Sequence, residues 1–254
     1  MYIIYKGVSK MISIEKVTKS YNNNKVIYNL SMKIRDGEIF GFLGPNGAGK
    51  TTTIKMMTGI TNIDNGEIFI DDYNIKKNPL EAKKNFGFIS DNPDVFLKFK
   101  GIEYLNFLAD IYQVELSQRK EMIENLAQVF NIKEILNDKI QSYSHGTRQK
   151  ILIIGSLIHQ PKNLIMDEPM TGLDPKSAFE LKKIMKNMRD KKHTIFFSTH
   201  ILDIAEKLCD RIGIINKGKL LFIGTLEDMK KELKENKSLE ELFMEITKKD
   251  EENI

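Results

Sequence analysis

The sequence predicts an α/β fold with a parallel-sheet core, an N-terminal antiparallel β subdomain and an inserted α-helical subdomain. Polar and apolar residues alternate over residues 29–34, which is typical of a half-exposed antiparallel strand. Residues 37–43, GEIFGFL, are almost continuously apolar, as in a buried parallel strand. Between about 91 and 160 the apolar residues instead recur at helical spacing. These three patterns define the predicted fold class.

The N-terminal part of the chain is predicted to consist mainly of strands. A strand-like run opens at Met11, so we expect residues 1–10 to form an N-terminal extension outside the fold. Asn65-Gly66 precedes the run EIFIDD and predicts a turn that leads into another strand of the antiparallel sheet. That sheet is therefore expected to collect strands from separate stretches of the sequence.

The helical insertion is predicted from the spacing of its apolar residues. Leu105, Leu108 and Tyr112 share one face of a helix, and a second helix is predicted to begin near Ser117. The insertion interrupts the strand pattern and so separates two parts of the same core.

Strand and helix alternate in the remaining sequence. The short apolar runs NLIMDE, TIFFST and RIGIIN predict buried strands, separated by helices at about 175–190 and 201–209. Asp174 supplies an N-cap for the first of these helices and Pro175 a first-turn proline. Residues 226–254 are predicted to form a C-terminal tail of two short helices. This alternation is typical of a parallel-sheet core.

Composition excludes several classes of protein. The 254 residues include 39 Lys and Arg against 35 Asp and Glu, and no concentrated basic stripe indicates nucleic-acid binding. Cys209 is the only cysteine, which excludes a disulfide framework, suits a reducing compartment and is expected to be a packing residue. The apolar run at 151–158 is shorter than the roughly 20 residues of a membrane span, and the first ten residues do not resemble a secretory signal.

A glycine-rich loop predicts a phosphate-binding site. The segment GPNGAGKT fits the pattern G-x-x-x-x-G-K-[ST], follows an apolar strand and opens a helix, and a chance glycine-rich turn seldom satisfies all of these conditions. Backbone amides would surround the phosphates, while Lys50 reaches the outer phosphates and the Thr51 hydroxyl reaches Mg²⁺. The sequence thus predicts a P-loop NTPase core that binds a nucleoside triphosphate with Mg²⁺, for which ATP is taken as the ligand. The predicted nucleotide-binding residues of the loop are Gly44, Asn46, Gly47, Ala48, Gly49, Lys50, Thr51 and Thr52.

Three polar residues end buried strands and are predicted to act on the phosphates. Asp167 is expected to hold Mg²⁺, and Glu168 to polarise the attacking water. Two acids after a strand can equally serve as a helix N-cap, and the phosphate loop favours the catalytic interpretation. His200 ends the strand TIFFST and is predicted to bind the γ-phosphate and orient the water, although a lone histidine is more often structural. His145, His159 and His193 are interpreted as incidental.

The order of GPNGAGKT, YSHGTRQK, LIMDEP, TGLD and STH resembles the nucleotide-binding subunit of an ABC transporter, from about residue 11 to 225. That family's signature segment is LSGGQ, and YSHGT stands in its place. Ser144 and Gly146 are retained where the family contacts the γ-phosphate, whereas His145 and Thr147 differ. The resemblance implies that this segment, at a helix N-terminus, completes the ATP site of a second subunit.

The resemblance also implies roles for three further residues. Tyr21 matches the aromatic residue that stacks on adenine, and a strand-end tyrosine is otherwise commonly a packing residue. Asp174 would lie at the interface between two subunits. Asp91 stands where the family has a glutamine that links Mg²⁺ to the membrane partner; aspartate can also bind the metal, but it is shorter and carries a charge.

The resemblance further implies the partners of the chain. One cassette per chain requires a second ABC ATPase subunit, and a head-to-tail homodimer is expected. No segment like TEVGERG precedes Ser142, so the chain matches a separate subunit that drives a polytopic membrane permease, interpreted as an exporter. The expected location is cytoplasmic, at the inner face of the cell membrane.

A rival interpretation is a soluble ABC-type ATPase that acts in cofactor assembly. DNA-repair relatives would need a long coiled coil, and translation factors two cassettes, and the sequence has neither. A phosphate-loop kinase gives no reason for YSHGTRQK or TGLD. Transport and cofactor assembly remain the two open functions.

Overall fold

The computed structural model describes residues 11–233 and 238–252 and confirms the predicted fold class. An antiparallel sheet of four strands and a mainly parallel sheet of six strands lie within these residues, with helices between the strands. The extension predicted at residues 1–10 lies outside the described residues.

The strands of the two sheets are interleaved along the chain. They are β1 (Ile12–Tyr21), β2 (Asn24–Ile34), β3 (Ile39–Leu43), β4 (Asn65–Ile70), β5 (Tyr73–Asn74), β6 (Phe86–Ile89), β7 (Asn163–Asp167), β8 (Thr194–Thr199), β9 (Arg211–Asn216) and β10 (Lys219–Gly224). The antiparallel sheet has the order β2-β1-β4-β5, and the other sheet has the order β10-β9-β3-β8-β7-β6. In the second sheet β10 pairs antiparallel with β9, and the remaining pairs are parallel.

Burial explains the two sequence patterns. Every residue of β3, β7 and β8 is buried, which accounts for their continuous apolar runs. In β2 the buried residues Leu30, Met32 and Ile34 alternate with exposed ones, as in a sheet that covers the core with one face. The predicted assignment of alternating and continuous runs is therefore confirmed.

The turn predicted at Asn65-Gly66 is wrong, because both residues already belong to β4. Asn65 pairs with Thr18 of β1, next to a shift in the strand register. Gly66 has a φ of +91°, and a Cβ there would lie 2.5 Å from the carbonyl oxygen of Glu15. The glycine is required because the backbones of β4 and β1 approach closely, and not because the chain reverses direction.

The α-helices lie between the strands and after the last of them. They are α1 (Lys50–Met57), α2 (Pro79–Lys84), α3 (Gly101–Ile111), α4 (Leu116–Val129), α5 (His145–Leu157), α6 (Pro175–Asp190), α7 (Leu202–Leu208), α8 (Leu226–Leu233) and α9 (Leu239–Glu252). The inserted helices α3, α4 and α5 lie between β6 and β7, and α4 begins one residue before the predicted position. The predicted tail helices are α8 and α9. Among the described helices, none is both long and apolar enough to cross a lipid bilayer.

The larger sheet is covered on both faces, which positions its strand ends. Phe40 and Phe196 stack with ring centroids 5.8 Å apart, on the side of the antiparallel sheet and α1. Met166 and Phe197 face the opposite side and pack with the inserted helices and α6. The sheet therefore forms a rigid middle layer, and loops that follow its strands are held at one edge.

Cys209 is half-buried and packs against this interior. A Cβ added to Gly41 would lie 2.6 Å from the Cys209 sulfur. Burial raises the pKa of the thiol, so the sulfur stays protonated and acts as a packing atom.

His159 joins the end of the inserted helices to the edge of the sheet. Its ring stacks on Tyr112, with centroids 3.6 Å apart, and Nε2 lies 3.2 Å from the Phe86 carbonyl oxygen. Burial lowers the pKa of His159 to about 4, and the hydrogen bond to the Phe86 carbonyl opposes this shift. The neutral ring is thus a structural contact between the helical insertion and β6.

We expect His159 to make the protein less stable as the pH falls from about 6.5 to about 4. In this range the unfolded chain binds a proton that the folded chain does not, so the free energy of unfolding rises with pH. His159→Phe retains a stacking ring and should remove up to about 3 kcal/mol of this pH dependence. Urea unfolding of both proteins at several pH values in this range measures the free energy of unfolding. An equal change of this free energy with pH in the two proteins would contradict the assignment.

Candidate active site

The phosphate loop runs from the end of β3 to the start of α1. Gly49 is the N-cap residue of α1 and has a φ of +110°, so its left-handed conformation suits glycine. A Cβ at Gly49 would lie 2.6 Å from Ile27 Cδ1, and one at Gly44 would lie 2.4 Å from the Ile215 carbonyl oxygen. Gly47 has a φ of +79° and open space around it. Two glycines are therefore required by close packing, and the third leaves the loop open to a ligand.

The Lys50 side chain folds back over this loop. The side chain is buried, and Nζ donates hydrogen bonds to the carbonyl oxygens of Gly44, at 2.8 Å, and Pro45, at 3.2 Å. The same Nζ lies 3.6 Å from Glu168 Oε1. A positive charge is thus held at the helix N-terminus, where backbone dipoles also favour an anion.

The other loop residues predicted to bind nucleotide surround this position. Ala48 is buried and its N–H donates to the Pro45 carbonyl oxygen at 3.2 Å. Asn46 is exposed, while Thr51 and Thr52 are half-buried in the first turn of α1. The loop therefore exposes polar atoms on one side and is anchored by apolar contacts on the other.

Asp167 ends β7 beside this loop. It is only 2% exposed, and Ser198 Oγ donates to its Oδ1 at 2.5 Å. Burial raises the pKa of Asp167, hydrogen bonds from Ser198 and Thr51 oppose that shift, and the nearby charges of Asp91 and Glu168 add to it. A cation placed beside this carboxyl group would therefore stabilise its charged form.

Ser198 is a site residue that sequence reasoning missed. Its hydroxyl binds Asp167 and also accepts a hydrogen bond of 3.0 Å from the Glu168 N–H. Asp167 pairs directly with Ser198 in the parallel register of β7 and β8. A serine in an otherwise apolar strand, one strand away from the predicted acids, was the available signal.

Glu168 and His200 form a pair above the loop. His200 Nδ1 lies 3.0 Å from Glu168 Oε1, the oxygen that also faces Lys50. The Glu168 side chain is 18% exposed and that of His200 is 50% exposed. Glu168 has a φ of +46°, which is uncommon for a residue with a side chain and turns its carboxylate away from the strand. Lys50, Glu168 and His200, all three predicted as site residues, are thus brought together.

The oxygen atoms of Thr51, Asp91 and Asp167 fit a magnesium ion. Mg²⁺ prefers hard oxygen ligands and is commonly bound by one or two carboxylates together with phosphate oxygens. Asp91 follows β6 and accepts a hydrogen bond of 3.2 Å from Ser90 Oγ. The described residues hold no cluster of three or more His, Cys, Asp or Glu side chains suited to a metal.

The segment YSHGTRQK leads into α5, and its glycine packs against the loop that follows Glu168. Ser144 is the N-cap: its Oγ accepts a hydrogen bond of 3.3 Å from Thr147 N and lies 2.9 Å from Thr147 Oγ1. A Cβ at Gly146 would lie 2.4 Å from the Gly172 carbonyl oxygen. Ser144 remains exposed at this helix N-terminus.

Asp174 has the predicted N-cap position in α6. Its carboxylate accepts hydrogen bonds from the Ser177 N–H, at 2.9 Å, and the Ser177 hydroxyl, at 2.8 Å. Lys150 Nζ lies 2.7 Å from Oδ2, and these contacts, with that of Lys150 the largest, hold the pKa of Asp174 well below its usual range. The predicted cap is confirmed, and it ties α6 to α5.

Tyr21 ends β1 as predicted, and the residue is 45% exposed. Lys19 Nζ lies 5.2 Å from the ring centroid. Stacking of this ring on adenine stays a prediction. His145 and His193 make local contacts: the His145 ring packs on Gly172, and His193 Nδ1 lies 3.0 Å from the Pro161 carbonyl oxygen.

A family model described as "ABC transporter" matches residues 27–171, more than half of the chain. The chain belongs to the ABC transporter ATP-binding family. It is 37% identical over 219 residues to the uncharacterized ABC transporter ATP-binding protein YhcH of Bacillus subtilis (strain 168), covering 86% of this chain and 71% of YhcH. It is 34% identical over 225 residues to the bacitracin transport ATP-binding protein BcrA of Bacillus licheniformis, covering 88% of this chain and 72% of BcrA.

The fold agrees with this family. A solved structure of an ATP-binding subunit of an ABC transporter superposes with a TM-score of 0.89 at 29% identity, covering 93% of this chain and 99% of that chain. ABC ATP-binding domains are ATPases, so this protein is an ATP-binding subunit with ATPase activity. The recognition of the family from five short segments is thereby confirmed.

Replacing the loop lysine should weaken ATP binding. A charge-assisted hydrogen bond contributes about 1.5–3 kcal/mol, so Lys50→Ala should weaken ATP binding by about ten- to a hundredfold. Titration calorimetry measures the affinity. Lys55→Ala, an exposed position on the same helix, is the matched control and should bind ATP like the wild type. Equal affinities of the two variants would remove Lys50 from the site.

Proposed function

We propose that this subunit hydrolyses ATP in a head-to-tail dimer and so powers transport, in the direction of export, by a separate membrane protein. The observation that carries the proposal is the separation of two half-sites on one chain. Lys50, Glu168 and His200 converge on the phosphate loop, whereas Ser144 lies exposed at the start of α5 and bonds within its own helical turn. A second copy placed head to tail would bring each serine to the other copy's nucleotide.

The side chains around the loop support in-line attack of water on the γ-phosphate. Glu168 would accept a proton from the attacking water while the water oxygen bonds to the γ-phosphorus. The bond between that phosphorus and the ADP oxygen breaks, which yields ADP and phosphate. His200 would hold the Glu168 carboxylate and contact the γ-phosphate, while Lys50 offsets the phosphate charge. Mg²⁺, bound through Thr51, Asp91 and Asp167, would stabilise the charge that develops on the phosphate oxygens.

The proposed domain organisation follows the elements described above. The ATPase domain spans residues 11–225 with its helical insertion at about 91–160, and residues 226–254 form a tail. Asp174 would lie at the contact between two copies, next to the signature segment to which Lys150 ties it. Asp91, at the boundary between sheet and insertion, would connect the metal to the membrane partner in place of the family's glutamine.

The proposed partners are a second copy of the chain and a polytopic permease. The relative named for bacitracin transport supports a transport role. Nucleic acid is not among the proposed partners, because acidic and basic residues are nearly balanced. The subunit would work in the cytoplasm and reach the inner face of the cell membrane through the permease.

A shared site predicts that two inactive variants restore each other. Ser144→Ala and Glu168→Gln should each lower turnover at least about tenfold, the second with ATP-bound dimers accumulating on a sizing column. A mixed dimer of these variants keeps one intact site, because both changes fall in the other site. A one-to-one mixture should therefore recover up to about a quarter of wild-type turnover, since half of randomly formed dimers are mixed.

The matched control mixes Glu168→Gln with Lys50→Ala. Both changes lie on the loop side of the site, so every mixed dimer contains two defective sites and no activity should return. Recovery in both mixtures, or in neither, would contradict a site shared between two copies.

Transport and cofactor assembly differ in the partner that remains bound. An affinity-tagged chain recovered from detergent-solubilised membranes of its own cells should carry a polytopic membrane protein, identified by mass spectrometry, with the untagged chain as control. Recovery with soluble partners alone would contradict transport and favour the assembly function.

A further inference from the structure

Gln149 is a buried amide whose hydrogen-bonding capacity is only partly used. It lies in the second turn of α5 with 1% of its surface exposed. Nε2 donates to the Pro169 carbonyl oxygen over 3.4 Å, and Oε1 has no hydrogen-bond partner among the described residues. A buried amide with an unpaired oxygen lowers stability relative to an apolar side chain of the same size. Packing alone therefore gives no reason for a glutamine here.

Its partner residue follows Glu168 directly. Pro169 has no N–H, so the carbonyl oxygen is its one polar backbone group. The Glu168 N–H is held by Ser198 at 3.0 Å, and the Glu168 carbonyl oxygen accepts from the Thr171 N–H at 3.1 Å. Gln149 adds the contact on the side of α5. The turn that carries Glu168 is thus fixed to β8, to itself and to α5.

This fixation matters because the Glu168 backbone is strained. Its φ of +46° places a residue with a side chain in the left-handed region, which persists when surrounding contacts hold it. Without the contact from α5, the turn could relax and rotate the carboxylate away from Lys50 and His200. Small displacements of a catalytic group reduce the rate strongly, because the reacting atoms must be aligned.

Helix α5 also contacts the far end of the loop that follows Glu168. Lys150 Nζ lies 2.7 Å from Asp174 Oδ2. Because Ser144 begins this helix, one rigid element extends from the proposed contact with the second copy to the turn of Glu168. A change at Ser144 can therefore reach the Glu168 carboxylate through Gln149.

We propose that Gln149 is a positioning residue for Glu168: its buried amide holds the Glu168–Pro169 turn to helix α5 and keeps the carboxylate in its reactive orientation. The inference rests on the proposed role of Glu168 in hydrolysis. Gln149 is buried and would act on Glu168 through the Pro169 carbonyl group.

The test is Gln149→Met, which keeps the length of the side chain and removes both the donor and the unpaired oxygen. Turnover should fall about tenfold with the KM for ATP unchanged, because ATP is bound by other groups. The melting temperature is measured beside the rate, because the variant removes the unpaired amide oxygen but also takes the donor from the buried Pro169 carbonyl oxygen. Rates are scaled to the ATP sites titrated in each sample, so loss of folded protein cannot imitate the effect.

The matched control is Ser156→Ala on the same helix. Ser156 is also buried, and its Oγ donates to the Ile153 carbonyl oxygen at 2.8 Å, away from the Glu168 turn. Turnover of this variant should equal that of the wild type. A tenfold loss in both variants would show a general effect on α5 and would overturn the positioning role.

A second measurement asks whether Gln149 acts through Glu168. Glu168→Gln removes the carboxylate, so adding Gln149→Met should lower turnover no further. An additional tenfold loss in the double variant, or wild-type turnover of Gln149→Met alone, would overturn the inference and leave the role of Glu168 intact. Wild-type turnover of Glu168→Gln alone would overturn both.

Discussion

The hydroxyl of Ser198 is the contact on which the arrangement of the site depends. It donates to the Asp167 carboxylate and accepts from the N–H of Glu168, so two consecutive acids are held by one atom of the neighbouring strand. The parallel pairing of β7 with β8 sets these distances, because Asp167 lies directly opposite Ser198. The acids then separate: Asp167 stays buried beside Thr51, while Glu168 turns outward to Lys50 and His200.

This separation gives the two carboxylates different electrostatic surroundings. Burial raises the pKa of Asp167, so a bound cation would stabilise its charged form. Glu168 instead has the Lys50 ammonium 3.6 Å from one of its oxygens. A nucleotide that draws Lys50 towards its phosphates would leave the Glu168 carboxylate with His200 as its remaining close partner. Metal binding and proton transfer are therefore suited to different acids although they are neighbours in sequence.

Local sequence patterns predicted the elements of the fold and the residues at strand ends, because burial leaves a period in the sequence. The phosphate loop was found from its spacing, and the three residues Asp167, Glu168 and His200 from their positions after apolar runs. Contacts that depend on register were not accessible in this way. Ser198 binds Asp167 only because β7 and β8 are aligned in register, and these two residues are 31 positions apart in the sequence. Gly66 approaches Glu15 closely only because the pairing of β1 with β4 is irregular.

Helix α5 links the two half-sites that the proposed dimer brings together. Its first turn exposes Ser144, its second turn buries Gln149 against Pro169, and Lys150 holds the cap of α6. Such a helix cannot move at one end without shifting the other, because close-packed elements move as rigid bodies. Closure of a second copy on Ser144 would therefore act on the turn that carries Glu168 in the same chain. Under the proposed function, pairing would then act on each site in two ways: the partner's serine would complete the site, and α5 would pass the contact on to the Glu168 turn of its own chain.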